Sequence, residues 1–358
     1  MTNQEGKPSA YAAAGVNIDA QDEALDEVKR LAHSTFTPGV LTEIGSFGGL
    51  FQPNFGAMTE PVIVASADGV GTKLMVAGMA NDYSTVGLDL VNHCVNDILV
   101  QGATPLFFMD YVGAGILEPN RVVELVRGVA EGCRGNGCAL LGGETAEMPG
   151  FYQPGDFELV GFVVGLADKS KILDGSRIRE GDKLIGLASS GLHTNGYSLA
   201  RTILFDQLKL KPQDLLPLEG SRHRTVVAEL LEPHRSYLAA VRPWLADHSL
   251  HGLAHITGGG LTDNLPRILP PGCGVDIYLG SWEIPEIFTF LATEGQVEKE
   301  EMFRVFNMGI GLVLVVDQDH AATTISMLRS AGERAAEIGV VTSGDREVSY
   351  RTLEADGR

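Results

Sequence analysis

The stretch Pro61-Val62-Ile63-Val64-Ala65-Ser66-Ala67-Asp68-Gly69-Val70-Gly71-Thr72-Lys73 decides how the rest of the chain is read. Its first five residues are apolar and β-prone, a short buried strand, and the strand then delivers an acid, two glycines, a hydroxyl and a lysine within six positions. Alone, such a run is an ordinary turn with a solvated acid and base. The set of groups also suits a metal-bound polyphosphate. Glycines let backbone N–H groups approach phosphate oxygens, Lys73 adds a point charge, and Asp68 offers Mg²⁺ a hard oxygen. What decides between the two is whether the pattern recurs.

A second predicted strand, Leu106 to Val112, carries Asp110 inside it, and a third, Cys138 to Leu141, hands over to Gly142-Gly143-Glu144-Thr145-Ala146-Glu147-Met148-Pro149-Gly150. Between the first two strands, a helix capped by Ser84 or Thr85 runs to about Gly102. It turns Val91, Val95 and Ile98 inward and sets Asp89, His93, Asn96 and Asp97 on one stripe. No Lys or Arg occurs from Asn81 to Gln101, so those acids await a cation or a distant base. Asp68, Asp97 and Glu144 are therefore expected to meet at one rim of one sheet. Upstream, a helix over about Asp22 to Ala32 precedes Ile44-Gly45-Ser46-Phe47-Gly48-Gly49-Leu50-Phe51, which reads equally as a flap over a nucleotide or as a hairpin with a packed Phe47 and Phe51.

A fourth strand, Leu159 to Leu166, is followed by the polar run Ala167 to Ser176, where a domain boundary is expected near residue 172. The second half repeats a grammar of strand, Gly/Ser loop and helix. Lys183 to Ala188 leads into Ser189 to Ser198 and a helix to about Leu208, and a like arrangement surrounds His255-Ile256-Thr257-Gly258-Gly259-Gly260-Leu261. Such loops at helix starts bind anions, and His193 in the first can donate to a phosphate or move a proton, or simply be a surface histidine in a capping loop. A helical stretch over Thr225 to Leu245 around Pro233-His234-Arg235, a glycine-interrupted strand from Phe306 to Val316, a helix from His320 to Ala335 and a strand from Ile338 to Thr342 are predicted to follow. Ser343 to Arg358 is expected to fray in part.

At 358 residues the chain is long enough for two domains, and 44% hydrophobic with 20% charged residues is an ordinary soluble composition. A formal charge of −19 argues against nucleic acid or an anionic membrane as partner. An acidic protein that binds phosphate esters must overcome its own field with metal ions and local N–H groups. The polar start and the lack of any 18-residue apolar run lead to the expectation of a cytoplasmic protein. Cys133 and Cys138 lack a second pair at zinc-ligand spacing, and Cys133 continues the apolar stripe of Val122, Val126 and Val129.

Tyr11-x-x-Ala14-Gly15-Val16, Asp68 to Lys73, Cys94-Val95-Asn96-Asp97, Pro105 to Tyr111, Gly142 to Gly150, Ser190-Gly-Leu-His-Thr-Asn-Gly-Tyr-Ser198, Thr257 to Gly260 and Phe306 to Gly311, in that order, resemble the aminoimidazole ribonucleotide (AIR) synthetase family over about residues 8 to 345. The chain departs from the pattern at Asn17, Gln21, Leu192, Thr194, His234 and Ser236, which leaves the roles of Asn17 and of His234 to Ser236 open. The resemblance implies an α+β (mixed α/β) fold of two domains, 1–172 and 173–346 with a tail over 347–358. Each would be a mostly antiparallel or mixed sheet with helices on one face. It also implies ATP-dependent cyclisation of formylglycinamidine ribonucleotide (FGAM) to AIR by a homodimer. By the same resemblance Asp68, Asp97 and Glu144 hold Mg²⁺, with Glu147 and Asp110 as further acids. Gly45, Gly48, Gly49, Asp68, Gly69, Gly71, Thr72, Lys73 and Asn96 face the nucleotide. Ser190, Gly191, His193, Asn195, Thr257, Gly258 and Gly259 face the substrate, and His193 and Lys73 serve the chemistry. The alternatives are another ATP-using member of the superfamily, such as a thiamine phosphate kinase, and a nucleotide sensor without turnover.

Overall fold

The computed structural model describes residues 18–218 and 224–352, with side chains from residue 25 onward; Asn17, the Gln21 side chain and residues 353–358 lie outside them. The first domain is built on β1 (Pro61–Gly69), β2 (Thr104–Ala114), β3 (Ala139–Glu147) and β4 (Phe157–Asp168), in spatial order β1-β4-β2-β3. Strand β4 is antiparallel to β1 and β2, and β2 is parallel to β3. Helices α1 (Ile18–His33), α3 (Val86–Leu99) and α4 (Pro119–Asn136) lie against this sheet, while α2 (Lys73–Ala80) follows the opening motif. Helix α3 buries its apolar residues Val86, Leu90, Val91, Cys94, Val95 and Ile98, and its polar residues Asp89, Asn92, His93 and Asn96 as well. A helix buried all round has a partner on each side. Here one is the first sheet and the other is the second domain.

The second domain holds β5 (Lys183–Ala188), β6 (Leu250–His255), β7 (Cys273–Leu279), β8 (Ile310–Val316), β9 (Ala335–Ser343) and β10 (Val348–Thr352) in the order β10-β7-β9-β5-β8-β6. All pairs are antiparallel except β10 with β7. Strand β10 takes residues expected in a loose tail, because their backbone completes an otherwise open sheet edge. The glycine-interrupted strand has a packing cause. Gly311 sits where the register of β5 against β8 slips, and any Cβ there would strike the Tyr237 hydroxyl and the His193 ring.

Two further expectations change. Thr225 to Leu245 is not one helix: Val226–Leu230 and Leu238–Val241 are short helical pieces, and residues 232–237 between them run without helical structure. Pro233 has no N–H to give a helix, and the neighbouring backbone groups bond α3 instead. Strand β3 does not stop at Leu141; parallel pairing with β2 carries it through Glu144 to Glu147.

Candidate active site

The stripe on α3 meets the second domain residue by residue. His234 N–H donates to Asp89 Oδ1 at 2.6 Å, and Asn92 Nδ2 donates to His234 O at 2.7 Å. Asn96 accepts the Tyr237 N–H at 3.0 Å and donates to Arg235 O at 3.0 Å. The distant base for Asp89 is Lys73, whose Nζ lies 2.7 Å from Asp89 Oδ2 and donates to Glu232 O at 2.8 Å and His193 O at 3.3 Å. Both side chains of this pair are fully buried. Burial pushes the lysine down and the aspartate up, and each partner's charge opposes that push.

Beside this seam lie Asp68 and Asp97. Asp68 Oδ1 accepts the Gly69 N–H at 2.7 Å, and Oδ2 is 2.8 Å from His93 Nε2. Asp97 Oδ2 accepts from Ser66 Oγ at 3.1 Å, and Oδ1 pairs with His255 Nδ1 at 2.8 Å. Burial raises both carboxyls, yet the facing imidazoles outweigh it and hold both below the ordinary value. For His93 burial acts downward, and the bond to Asp68 with the nearby carboxylates carries it above the usual histidine value. His193, His234 and His255 are lowered, chiefly by burial. Ligand atoms of His93, Asp97 and His255 lie within 4.8 Å of one another. Asp68 and Asp97 remain 41% and 29% exposed, which fits carboxylates that share Mg²⁺ with substrate phosphates.

The opening turn and the two Gly/Ser loops also converge. Thr72 Oγ1 is 3.2 Å from Ser198 Oγ, and a Cβ on Gly258 would stand 3.2 Å from Asn195 Oδ1. Asn195 Nδ2 is buried with no partner among the described residues. Ser190 N–H donates to His193 Nε2 at 3.1 Å, and the His193 ring stacks on His234 with centroids 4.0 Å apart.

Other predicted residues are placed differently. Lys73 is consumed by Asp89 and two carbonyls, so it does not face phosphates, and Asn96 is a peg between domains instead of a nucleotide contact. His193 is almost wholly buried, its Nε2 accepts the Ser190 N–H, and burial pushes its pKa well below the ordinary histidine value, all of which work against a charged phosphate donor there. Glu144 does not reach Asp68 and Asp97. Asp68, Gly161, Asp110 and Gly143 form one row across the sheet, which puts the end strands three spacings, about 14 Å, apart. Glu144 follows Gly143 and so points to the opposite face. It lines a separate cavity of about 380 Å³ with Gly45, Gly48, Gly49, Asp110 and Thr145. Burial pushes the Asp110 carboxyl up to about 7. Glu147 Oε1 accepts the Leu117 N–H at 2.7 Å.

Family models of the AIR synthase related protein match the chain twice, the N-terminal domain over residues 55–167 and the C-terminal domain over 179–351. The phosphoribosylformylglycinamidine cyclo-ligase of Trichlorobacter lovleyi is 53% identical over 338 residues, covering 94% of this chain and 96% of that protein. That of Geobacter metallireducens is 51% identical, covering 94% and 95%. The chain belongs to the AIR synthase family. Among solved structures, thiamine-monophosphate kinase from Stenotrophomonas maltophilia K279a aligns with a TM-score of 0.66 at 17% identity, over 92% of this chain and 95% of that one. Hydrogenase maturation protein HypE in complex with ATP aligns at 0.63 and 17%, over 98% and 93%. At such identity these likenesses speak for a shared fold.

In this AIR synthase family member, sequence reasoning passed over His93, Thr194, His234 and His255 as site residues. Each was visible beside a motif: His93 on the acidic stripe, Thr194 next to His193, His255 two positions before Thr257, and His234 in the segment that departs from the family pattern. The available signal was that histidines flank several motifs, while the chain has only nine in all.

Proposed function

We propose that this chain is a phosphoribosylformylglycinamidine cyclo-ligase that uses ATP and Mg²⁺ to close FGAM to AIR. ATP's γ-phosphoryl group passes to the formyl amide oxygen. The amidine nitrogen attacks the same carbon, the C–O bond breaks, and inorganic phosphate leaves with that oxygen. An amide oxygen leaves poorly and phosphate leaves well, so the protein's work is to align two anions and neutralise charge. The observation that carries the reading is that Asp68 and Asp97 flank His93 at a seam where the loop from Ser190 to Ser198 meets the turn after β1, in a chain 53% identical to a cyclo-ligase. Asp68 and Asp97 hold Mg²⁺, which draws charge from the phosphates. Gly69, Gly71 and Thr72 lie against the phosphates, and Ser190, Gly191, Asn195, Thr257, Gly258 and Gly259 hold the substrate. The cavity under Gly45, Gly48 and Gly49 takes part of the nucleotide, with Asp110 and Glu144 among its lining residues.

The working unit is a homodimer. On the sheet face away from the helices, Ile63 is 71% and Phe162 43% exposed, beside Ala65, Ala67 and Met109. A second copy is the natural cover for an apolar sheet face that one layer of helices leaves open. Among the described residues no helix is long and apolar enough to cross a membrane. Purified protein given ATP, Mg²⁺ and FGAM is expected to release phosphate and form AIR only when all three are present. Phosphate transfer to thiamine monophosphate instead, or ATP binding without FGAM-stimulated release, would overturn the reading in favour of a kinase or a sensor.

A further inference from the structure

His234 sits at the crossing of both halves of the site. Its side chain is completely buried. Nε2 is 3.1 Å from His255 Nε2 and 3.2 Å from Asn96 Nδ2, Nδ1 is 3.2 Å from Thr194 Oγ1, and the ring faces that of His193 at an interplanar angle of 18°. Its backbone is bonded on both sides to α3, through Asp89 and Asn92. Each neighbour leads to a part of the site. His255 continues to Asp97, and Thr194 continues to His93 Nδ1 at 2.8 Å and so to Asp68. The result is an unbroken chain of side-chain contacts, Asp68, His93, Thr194, His234, His255 and Asp97. It starts at one aspartate, leaves the first domain through His93, crosses the second domain and returns at the other aspartate.

We propose that His234 is a positioning residue for the reaction: its ring, wedged between His193, Thr194 and His255, holds His255 against Asp97 and Thr194 against His93, and so fixes the two aspartates relative to the loops that face the substrate. The inference rests on the cyclo-ligase reading for its effect on turnover, but the contact it invokes does not. An imidazole can satisfy both directions because its two nitrogens diverge from one rigid ring. An apolar ring of similar shape keeps the wedge and loses both bonds, leaving His255 Nε2 and Thr194 Oγ1 buried without these partners. Supporting contacts behind site carboxylates and imidazoles are worth roughly 10- to 100-fold in activity when removed.

Three variants and one spectroscopic measurement test this. His234→Phe is expected to lower kcat roughly 10- to 100-fold with KM for ATP within about twofold of the parent. His234→Gln reaches toward His255 and is expected to recover most of that loss; His234→Asn, too short for His255, is expected to stay near the phenylalanine variant. Thermal midpoints accompany each variant. Should His234→Phe fail to fold, the contrast between Gln and Asn decides. A kcat within twofold of the parent in the folded Phe or Asn variant, or a Gln variant as impaired as Asn at equal stability, overturns the proposal. In the resting parent with ¹⁵N-labelled histidine, a through-hydrogen-bond ¹⁵N–¹⁵N coupling between His234 Nε2 and His255 Nε2 is expected, and its absence also overturns it. Because this measurement needs no substrate, a parent that binds ATP yet never cyclises FGAM sinks the cyclo-ligase reading while the coupling still decides whether the contact exists.

Discussion

Replacing Lys73 by Met separates two readings of the opening motif, a phosphate ligand and a structural cation. In the structure Lys73 and Asp89 are a fully buried pair at 2.7 Å, and removing the lysine leaves the carboxylate with the His234 N–H as its hydrogen-bond donor. Breaking one side of a buried pair costs about 3–5 kcal/mol, because the remaining charge is stranded in a poor solvent. At about 2–4 °C per kcal/mol for domains of this size, the thermal midpoint should fall by roughly 6–20 °C. Adding Asp89→Asn removes the stranded charge while its amide oxygen still accepts from His234, so the double variant should recover a large part. The remaining loss, about 1–3 kcal/mol, comes from the Glu232 and His193 carbonyls that lose a donor. Thermal unfolding of the parent, single and double variants, with steady-state kinetics in ATP, reads both claims together. A midpoint for Lys73→Met within 2 °C of the parent, or a stable double variant whose KM for ATP rises tenfold or more, would refute the structural assignment and return Lys73 to the phosphates.

Asp97→Asn keeps the hydrogen bonds possible and removes a charge from the proposed metal site; kcat at limiting Mg²⁺ should fall at least about tenfold, with partial recovery at high Mg²⁺, and an unchanged Mg²⁺ dependence would count against the assignment. Asp110, raised to about 7 by burial, is neutral in the folded protein where the unfolded chain is already ionised, so it should make stability fall as pH rises from about 4 to 7. Asp110→Asn should therefore gain stability relative to the parent at pH 8 compared with pH 5, and a pH-independent difference between the two melting curves would contradict this. Gly143→Ala places a Cβ against the Asp110 carboxyl and backbone and should cost about 1–3 kcal/mol; a neutral effect would mean the β2–β3 register is different. Phe162→Glu on the open sheet face should halve the mass seen by light scattering, and a dimer that survives it must use another surface.

What could be read from the sequence followed the range of the forces involved. The strand before Asp68 and the polar stripe of α3 are local patterns, set by strand and helix periodicity, and both are present, but the strand expected to be buried lies at the sheet edge with every second residue exposed. The partners of that stripe are not local. Lys73 looked solvent-facing because it follows Gly71 and Thr72 in a turn, and only the packing of the second domain, with the His193 and Glu232 carbonyls and the Tyr197 ring around its ammonium, makes its surroundings dry. Glu144 looked like a strand-end acid because glycines precede it, and only pairing with β2 carries the strand past them. Strand order was equally hidden: β4, last in sequence, inserts between β1 and β2 and widens the distance between Asp68 and Glu144.

The same arrangement explains why an acidic protein would handle two phosphate-bearing anions with metal rather than with basic side chains. At the domain seam the strong cations are already committed: Lys73 to Asp89, Arg235 to Glu333 through two bonds of 2.7 Å, and Arg224 to Glu229 and Glu232. Lys73 also bonds the His193 and Glu232 carbonyls across the seam, and the arginine pairs brace the second domain beside the 232–237 segment, so moving any of them toward a phosphate would loosen the surfaces that define the site. Asp68 and Asp97, by contrast, face imidazoles, which are weaker and softer partners than a buried ammonium. A divalent cation can enter between these carboxylates without dismantling the seam. The charge needed for phosphoryl transfer would then be delivered with the substrate, and the residues that fix the domains would keep a single role.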